Sequence, residues 1–408
     1  MIHRYQKKGL NFVLDVNSGA VHLLDDISYA VSGLLDENMG DTCPQSIIDA
    51  LPDYTADEIR EAYDELYELK KAGQLFAQDD YIDVSRYIPV NAPVKALCLH
   101  VAHDCNLRCK YCFASTGDFG QGRKIMPPEI AKKAIDFVIA RSGVRHNIEV
   151  DFFGGEPLMA WDTVTQTVDY ARSLEEKHNK KFRFTITTNG LLLDEDKRKY
   201  INENMDNCVL SLDGRREVND EFRKTVAGTG SYDTIVPKFK ALVDERDPNL
   251  DYYARGTFTS HNLDFAEDVL SIADAGFDRL SVEPVTADPG CGYDLTEDDL
   301  PKIEAEYDRL TDIMLERKKE GKPFTFFHFM VDLDQGPCVV KRLRGCGAGY
   351  EYVAVTPDGD IYPCHQFVGN EDFLMGNVWD GVKRTDIRDE FKCCNVYAKE
   401  KCSKCFAR

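Results

Sequence analysis

Three cysteines, Cys105, Cys109 and Cys112, have a spacing that lets their thiols converge on one metal centre. They follow an alternating apolar run, Ala96–Val101, which predicts a strand that ends in a loop. Three cysteine ligands can hold a four-iron cluster and leave its fourth iron free for another molecule. The same spacing also fits three structural cysteines, or a zinc site that lacks one protein ligand. Spacing alone therefore leaves the chemistry open.

The composition predicts a globular protein of two to four domains. The chain has 408 residues, of which 43% are hydrophobic and 30% are charged. No apolar run approaches the roughly 20 residues needed to span a membrane, and the N-terminus lacks the apolar core of a signal peptide. We therefore expect a cytoplasmic protein whose fourteen cysteines are free thiols or metal ligands rather than disulfides.

The net charge of −21 argues against a nucleic-acid partner. A field of this sign repels phosphate backbones, whereas it tolerates a neutral or positively charged peptide.

Residues 1–85 predict a small winged-helix-like module. Two strands joined by Asn17-Ser18-Gly19 form a hairpin, and a short helix follows. Thr55 and Glu58 form a capping box that begins a second helix, and Gln74–Ala77 predicts a wing strand. The second helix is rich in acidic residues, so it does not suit a DNA groove.

This module resembles the peptide-recognition element of enzymes that modify ribosomally made peptides. In that element a leader peptide adds as an extra strand to the hairpin edge, and main-chain hydrogen bonds supply the affinity. A purely structural cap is the alternative.

Residues 94–330 predict a partial (β/α)6 parallel barrel of the α/β class, after a proline-punctuated linker, Tyr87–Pro93. Six predicted strands alternate with segments of helical period, and the strands are Ala96–Val101, Ile148–Phe153, Phe182–Thr187, Cys208–Leu212, Arg255–Thr259 and Leu280–Val285. Active-site residues of such folds lie where strands end. The cysteine loop satisfies this rule.

A second motif, Gly154-Gly155-Glu156-Pro157, follows the second of these strands. Two glycines let a backbone approach a ligand closely, and Glu156 offers a carboxylate near the same mouth. Together with the cysteines, and with Tyr111 before the last of them, this motif resembles the radical S-adenosylmethionine (SAM) superfamily.

The resemblance implies a [4Fe-4S] cluster on Cys105, Cys109 and Cys112 whose open iron binds SAM. The segment Gly154–Pro157 would meet the amino group of SAM, and a 5′-deoxyadenosyl radical would abstract hydrogen from an unactivated carbon. An electron donor such as a flavodoxin or ferredoxin is implied as a partner. Further cofactor-binding residues are implied at other strand ends, namely Asn189, Ser211, Asp213, Arg255 and Glu283, and ordinary turn chemistry or surface ion pairs are the alternative for each.

Residues 331–408 resemble the twitch-plus-cap extension called SPASM, which binds auxiliary four-iron clusters. In that pattern the first auxiliary cluster would use Cys338, Cys346 and Cys364, and the second would use Cys402 and Cys405. The family continues with further cysteines, whereas this sequence stops at Arg408. Three explanations stay open: the chain is truncated, Cys393-Cys394 replace the missing ligands, or the second auxiliary cluster is absent. Zinc bound by Cys338, Cys346, Cys364 and Cys402 is a further alternative.

The stretches Leu99–Cys105 and Cys112–Phe119 narrow the resemblance to maturases that form thioether crosslinks in peptides with six cysteines in forty-five residues (ranthipeptides). The implied partner is a Cys-rich precursor peptide, and the implied reaction joins a cysteine sulfur to a substrate carbon. One alternative is a SPASM enzyme that oxidises Ser or Cys in a sulfatase. Another is a non-catalytic peptide-binding scaffold.

Overall fold

The computed structural model describes residues 1–80, 92–333 and 338–408, without the side chains of 339–341. The chain divides into two compact units. The first comprises residues 1–90, 331–346 and 392–408, and the second comprises residues 91–330 and 347–391. Most of the predicted linker Tyr87–Pro93 lies outside the described residues.

The first unit begins with a three-stranded antiparallel sheet, and its strands are β1 (Ile2–Lys7), β2 (Leu10–Asp15) and β3 (Val21–Leu24). The predicted hairpin is confirmed as the pairing of β2 with β3. The sequence did not predict β1, which leaves β2 central and makes β1 and β3 the two edges.

Three helices follow, and they are α1 (Asp26–Ser32), α2 (Gln45–Ala50) and α3 (Ala56–Lys71). The predicted capping box is confirmed, because the Thr55 side chain accepts from the Glu58 backbone and the Glu58 carboxylate accepts from the Thr55 backbone. Apolar residues of α3, including Ile59, Tyr63 and Leu66, pack into the small core of this unit.

The predicted wing strand at Gln74–Ala77 is wrong, since this segment forms no strand. Side chains hold it instead of a backbone ladder. The Asp15 carboxylate accepts from the Ala77 amide (3.1 Å), the Asn17 amide donates to the Ala77 carbonyl (2.7 Å), and the His22 ring contacts the Gln74 carbonyl (2.8 Å).

C-terminal segments complete the first unit with the short helices α11 (Val339–Arg344) and α13 (Glu400–Ser403). The Arg342 guanidinium donates to the Val16 carbonyl, and the Tyr397 hydroxyl donates to Asp79 at 3.0 Å. A further helix, α12 (Thr385–Cys393), contains the boundary between the two units.

The second unit contains the predicted parallel sheet. Its six main strands lie side by side in chain order, and they are β4 (Ala96–His103), β7 (Asn147–Gly154), β8 (Lys181–Thr188), β9 (Asn207–Ser211), β11 (Asp251–Phe258) and β12 (Arg279–Pro284). All six sequence predictions are confirmed, each within a few residues. Every neighbouring pair is parallel, so the carboxyl ends of these strands share one edge.

Short strands extend this framework. In the same sheet, β13 (Thr325–Phe326) adds beyond β12, β6 (Lys124–Ile125) pairs with β4, and four strands continue beyond β4, namely β14 (Tyr352–Val355), β15 (Asp360–Tyr362), β16 (Gly376–Asn377) and β17 (Gly381–Val382). A separate antiparallel pair joins β5 (Leu107–Cys109) to β10 (Arg223–Thr225).

Helices connect the main strands, and they are α4 (Pro128–Arg141), α5 (Trp161–His178), α6 (Glu195–Asn204), α7 (Arg216–Phe222), α8 (Tyr232–Asp244) and α9 (Phe265–Asp274). A further helix, α10 (Leu300–Lys319), lies between β12 and β13. Alternate residues of β4, such as Leu97, Leu99 and Val101, are fully buried and belong to the large core that also contains helix residues such as Ile135. Within the described residues, no helix is both long and apolar enough to cross a membrane.

Candidate functional site

The three motif cysteines line one cavity of about 150 Å³. Cys105 follows the end of β4, Cys109 is the last residue of β5, and Cys112 lies in the turn after it, where its amide donates to the Cys109 carbonyl (3.2 Å). The register of β5 with β10 sets Cys109 opposite Arg223. The strand end and this short antiparallel pair thus fix the backbone that carries the thiols.

Gly154 and Gly155 bring the end of β7 against the cysteine loop. The Gly155 amide donates to the Ala102 carbonyl at 2.8 Å. A Cβ on Gly154 would lie 2.2 Å from the Ala102 carbonyl oxygen, and a Cβ on Gly155 would lie 2.2 Å from that of Asp104. Gly154 also has φ = +124°, a conformation that favours glycine. Only residues without a side chain fit this close approach, and both glycines line the cysteine cavity.

Glu156 contributes to the same wall, but its carboxylate is fully buried and bonded within the protein. It accepts hydrogen bonds from the Leu158 amide (3.0 Å), the Thr188 hydroxyl (2.8 Å) and the Asn189 amide (2.8 Å). Burial raises its pKa to about 7. Glu156 therefore ties the end of β7 to the end of β8, and the neighbouring Pro157 is buried and lines neither this cavity nor the next one.

Asn189 connects the end of β8 to the cysteine loop. Its side-chain amide donates to the side-chain oxygen of Asn106 (Oδ1, 2.7 Å) and to the Cys105 sulfur (3.6 Å). The Leu107 amide also donates to the Cys105 sulfur, at 3.4 Å. These donors favour a negatively charged sulfur at this position.

The donor set fits a metal cluster better than free thiols or a single ion. Burial raises the pKa of Cys105 to about 12 and that of Cys109 to about 11, so without a cation these thiols keep their protons. Within the described ranges, no group of three or more His, Cys, Asp or Glu side chains could hold a metal ion. A four-iron cluster makes a different demand, because each thiolate binds its own iron around a larger body. Three soft sulfur donors around one cavity meet that demand.

Asp213 supports the cavity wall from inside the protein. It is fully buried, it accepts from the Tyr111 hydroxyl (2.6 Å) and from the Thr257 amide (3.0 Å), and it pairs with Arg223 at 3.0 Å. The Arg223 guanidinium also lies over the Tyr111 ring, 5.6 Å from its centre. Asp213 lines neither cavity, but its carboxylate contacts Tyr111, Arg223 and Thr257, which do.

A second cavity, of about 220 Å³, adjoins the first and shares Tyr111, Phe113, Phe153, Ser211 and other residues with it. Two further predicted residues, Arg255 and Glu283, line this second cavity and not the first. The cavity with the three cysteines is called the cysteine cavity below, and its neighbour is called the second cavity.

Sequence reasoning missed several residues that line these cavities. Arg223 and Thr187 line both, and His365 and Gln366 reach the second cavity from a distant part of the chain. The alternation of buried and exposed residues in β8 gives a signal for Thr187, which shares its face with Thr185. No local pattern marks Arg223 or His365.

Two buried histidines stand beside the cysteine loop. His100 and His103 contact each other through ring nitrogens 3.2 Å apart, and both rings pack against Phe119. All three residues belong to the stretches that carry the ranthipeptide resemblance. In this structure neither His100 nor His103 lines the cysteine-lined cavity or its neighbour.

The C-terminal cysteines are divided between the units. Cys338, Cys346, Cys402 and Cys405 belong to the first unit and Cys364 belongs to the second. The predicted hairpin turn at Pro357–Asp360 is confirmed by the pairing of β14 with β15. The auxiliary clusters stay a prediction.

The sequence matches the family model of the radical SAM superfamily over residues 99–253. An uncharacterized protein of Methanocaldococcus jannaschii is 30% identical over 316 residues, which cover 77% of this chain and 99% of that protein. The chain belongs to the radical SAM superfamily.

Other relatives are more distant. A cysteine-type anaerobic sulfatase-maturating enzyme of Clostridium novyi is 24% identical over 72% of this chain and 83% of its own length. An uncharacterized protein of Archaeoglobus fulgidus is 25% identical over 69% of this chain, and the match spans only 63% of that protein.

Solved structures share the fold. The structure of anSMEcpe with bound AdoMet has a TM-score of 0.64 and 22% identity, and the match covers 77% of this chain and 86% of that one. Streptococcus suis SuiB bound to its precursor peptide SuiA has a TM-score of 0.53 and 16% identity, over 96% of this chain and 88% of the other. At these identities the likeness concerns the fold alone.

Proposed function

We propose that this protein is a radical SAM maturase that forms thioether crosslinks in a ribosomally made, Cys-rich precursor peptide. The observation that carries the proposal is the pair of adjoining cavities, one lined by three thiols and the other by polar and aromatic side chains. Hydrogen abstraction requires the cofactor and the substrate carbon to be in contact, and adjoining cavities suit that requirement. The relatives named as sulfatase-maturating enzymes support a peptide or protein substrate.

In this proposal Cys105, Cys109 and Cys112 hold a [4Fe-4S] cluster, and SAM binds beside it. When bound, the cluster supplies the electron that cleaves SAM and so generates the hydrogen-abstracting radical. The backbone at Gly154 and Gly155 receives the amino group of SAM, as the superfamily resemblance implies.

The remaining roles belong to residues that orient ligands and exclude water. Phe113 and Phe153 form an apolar wall common to both cavities, which limits water near a reactive carbon. Ser211, which lines both cavities, is proposed to hold the polar end of SAM, and Asn189 donates to the Cys105 sulfur. The cofactor-binding role that the resemblance implies for Arg255 is not part of this proposal, because Arg255 lines only the second cavity. Asp213 acts through Tyr111 and Arg223.

The reaction balances as a two-electron oxidation of the peptide. A C–H bond loses a hydrogen atom to the radical, a cysteine S–H loses a proton, and a C–S bond forms. The remaining electron needs an acceptor, which is the role proposed for auxiliary clusters on two sets of cysteines, Cys338 with Cys346 and Cys364, and Cys402 with Cys405. We propose a flavodoxin or ferredoxin as the donor of the initiating electron and the cytoplasm as the location.

The first unit is proposed to bind the leader of the precursor peptide. Its strand β3 is an edge strand, and Val21 and Leu23 on it are exposed, Leu23 by 61%. An extended peptide can add to such an edge through main-chain hydrogen bonds.

A sulfatase-type oxidation of Ser or Cys is the second candidate, because a carboxylate, Glu283, lines the second cavity and could serve as its base. The two candidates differ in product. Oxidation of a serine or cysteine side chain gives an aldehyde, which reacts with hydrazides, whereas a thioether does not.

The test is anaerobic reconstitution of the protein with iron, sulfide, SAM and a short Cys-rich peptide, to be sought in the reading frames beside its gene. We expect 5′-deoxyadenosine and a peptide that has lost two hydrogen atoms for each crosslink, with no hydrazide adduct. A hydrazide-reactive product supports the second candidate, and an unmodified peptide contradicts both. Absence of deoxyadenosine with the reconstituted cluster contradicts the enzyme assignment and leaves a peptide-binding scaffold.

A further inference from the structure

A chain of hydrogen bonds leads from α10 to the second cavity. The Tyr307 hydroxyl lies 2.8 Å from His328 Nδ1, and His328 Nε2 lies 3.0 Å from one carboxylate oxygen of Glu283. The Ser281 hydroxyl donates to the other oxygen at 2.5 Å. Glu283 is thus held by two neighbours, and its side chain keeps 28% exposure where it lines the second cavity.

The chemistry of the carboxylate fixes the direction of these bonds. An ionised carboxylate only accepts hydrogen bonds, so His328 Nε2 carries a hydrogen and donates it to Glu283. In a neutral imidazole the other nitrogen then accepts, and the Tyr307 hydroxyl donates to it. His328 and Ser281 lower the pKa of Glu283 to about 2, with a further contribution from the charge of Arg255. Glu283 therefore presents a fixed, charged acceptor to the second cavity.

The position of this acceptor separates it from the cysteines. Glu283 lines the second cavity but not the cysteine cavity, whereas Tyr111 and Ser211 line both. A cofactor held at the cysteines would reach the shared wall, and the molecule that gives up hydrogen must lie beyond that wall. A peptide carries an N–H group at almost every residue, and each one needs an acceptor when it leaves water.

We propose that Glu283, positioned by His328 and Tyr307, accepts a hydrogen bond from an N–H group of the peptide substrate in the second cavity. This inference rests on the proposed function, since it assigns a group that binds the substrate of the same reaction. It differs from the cofactor-binding role that the sequence resemblance implies for Glu283.

The test compares the reconstituted holoenzyme with its Glu283→Gln and His328→Phe variants, with a synthetic copy of the neighbouring Cys-rich peptide as the probe. Glu283→Gln keeps the size of the side chain and removes its charge. We expect KM for the peptide to rise about tenfold, because the amide oxygen of glutamine accepts a hydrogen bond more weakly than an ionised carboxylate does. Cluster content and peptide-free formation of deoxyadenosine stay at the level of the unmodified protein.

His328→Phe adds a pH readout that a purely structural role would not give. Without the imidazole donor the pKa of Glu283 rises from about 2, because His328 is the largest cause of its depression. KM for the peptide then rises more steeply as the pH falls in the variant than it does in the unmodified protein. The other titratable groups facing this carboxylate are Tyr307 on α10 and Arg255 on β11, and neither changes charge in the acidic range. His365, which also lines the cavity, is common to both proteins.

A matched control is His261→Phe. His261 contacts the Glu221 carboxylate at 3.0 Å, in the same kind of pair, but neither residue lines the two cavities. The His261→Phe variant is expected to have the same KM for the peptide as the unmodified protein. Tyr307→Phe keeps both the imidazole and the carboxylate, and we expect it to shift KM in the same direction by less.

The outcomes separate this inference from the proposed function. An unchanged KM in Glu283→Gln overturns the inference, and so does a loss of peptide-free deoxyadenosine, because the carboxylate would then serve the cofactor. If the unmodified protein produces deoxyadenosine but does not modify the peptide, both proposals fail. If His328→Phe does not fold, the other two variants still decide. The inference is refuted if KM for the peptide in Tyr307→Phe and in Glu283→Gln equals that of the unmodified protein.

Discussion

The two adjoining cavities are built in different ways. Most of the cysteine cavity comes from three short stretches, 105–117, 153–156 and 187–189, each located where a strand ends. The second cavity takes its lining from more places, including β9, β11, the segment 283–286 at the end of β12 and the segment 365–366. The difference indicates that cofactor chemistry needs a compact backbone arrangement, whereas contacts with a substrate can be gathered from distant side chains.

The largest expected effect comes from the cysteine cavity. Cys105→Ala removes one of three cluster ligands, and with it both N–H···S contacts. We expect no formation of deoxyadenosine, with or without peptide, as measured by chromatography of anaerobic reactions. The iron content and the visible absorption of the reconstituted variant provide the control. Deoxyadenosine formed at the rate of the unmodified protein would overturn the cluster assignment. It would also overturn the distinction between a cofactor cavity and a substrate cavity.

This contrast also explains what the sequence could predict. The cysteine spacing, the glycine pair and the six strands are local patterns, so the sequence predicts the three thiols and the strand ends that carry the cysteine cavity. Arg223 and His365 reach their positions only through tertiary folding, because one comes from a short strand opposite Cys109 and the other from beyond β15. No periodicity could indicate either residue.

The sequence does not reveal how two of the predicted carboxylates are bonded. It predicts that Glu156 offers a carboxylate near the mouth, and the resemblance implies that Asp213 binds a ligand. In the structure both side chains are fully buried and bonded to neighbouring residues. A strand-end acidic residue can either face the mouth or tie two strands together, and only the packing decides between the two. The predicted wing strand at Gln74–Ala77 is wrong for a related reason. The side chains of Asp15 and Asn17 form the hydrogen bonds with Ala77 that a neighbouring strand would otherwise form.

A second prediction tests whether the second cavity serves the peptide alone. Val209 lines the second cavity but not the cysteine cavity. Val209→Phe adds bulk to that space, so we expect crosslinking of the peptide to fall by about tenfold or more. Peptide-free deoxyadenosine should stay unchanged. An equal loss of both activities would mean that the two cavities hold one ligand, and Val209→Ile is the graded control.

Glu156 gives a prediction about stability rather than activity. Glu156→Leu leaves the Leu158 amide, the Thr188 hydroxyl and the Asn189 amide without their acceptor, and it should cost roughly 3 kcal/mol in the free energy of unfolding. Urea denaturation at fixed pH measures this loss. A change below about 0.5 kcal/mol would show that Glu156 does not tie β7 to β8.

The same residue makes a pH-dependent contribution with a definite sign. Burial raises the pKa of Glu156 from 4.5 to about 7, so the folded protein binds its proton more tightly than the unfolded chain does. The stability from this group is therefore full below pH 4.5 and is lost as the pH rises to about 7. Glu156→Gln cannot titrate. The stability of the unmodified protein relative to this variant should thus fall across that range, and a constant difference would contradict the buried state of the carboxylate.

The smallest expected effect concerns the tuning of the cluster by the wall of the cysteine cavity. The Asn189 side chain donates to the Cys105 sulfur at 3.6 Å, and hydrogen bonds to ligand sulfurs raise the reduction potential of iron–sulfur clusters by stabilising the reduced, more negative form. Asn189→Leu removes that donor, and we expect a lower potential in a redox titration followed by electron paramagnetic resonance. Val209→Phe is the control, since it changes only the second cavity. An unshifted reduction potential in Asn189→Leu would mean that the Leu107 amide alone stabilises the Cys105 sulfur. The cofactor site would then depend on backbone groups even more strongly than the comparison of the two cavities indicates.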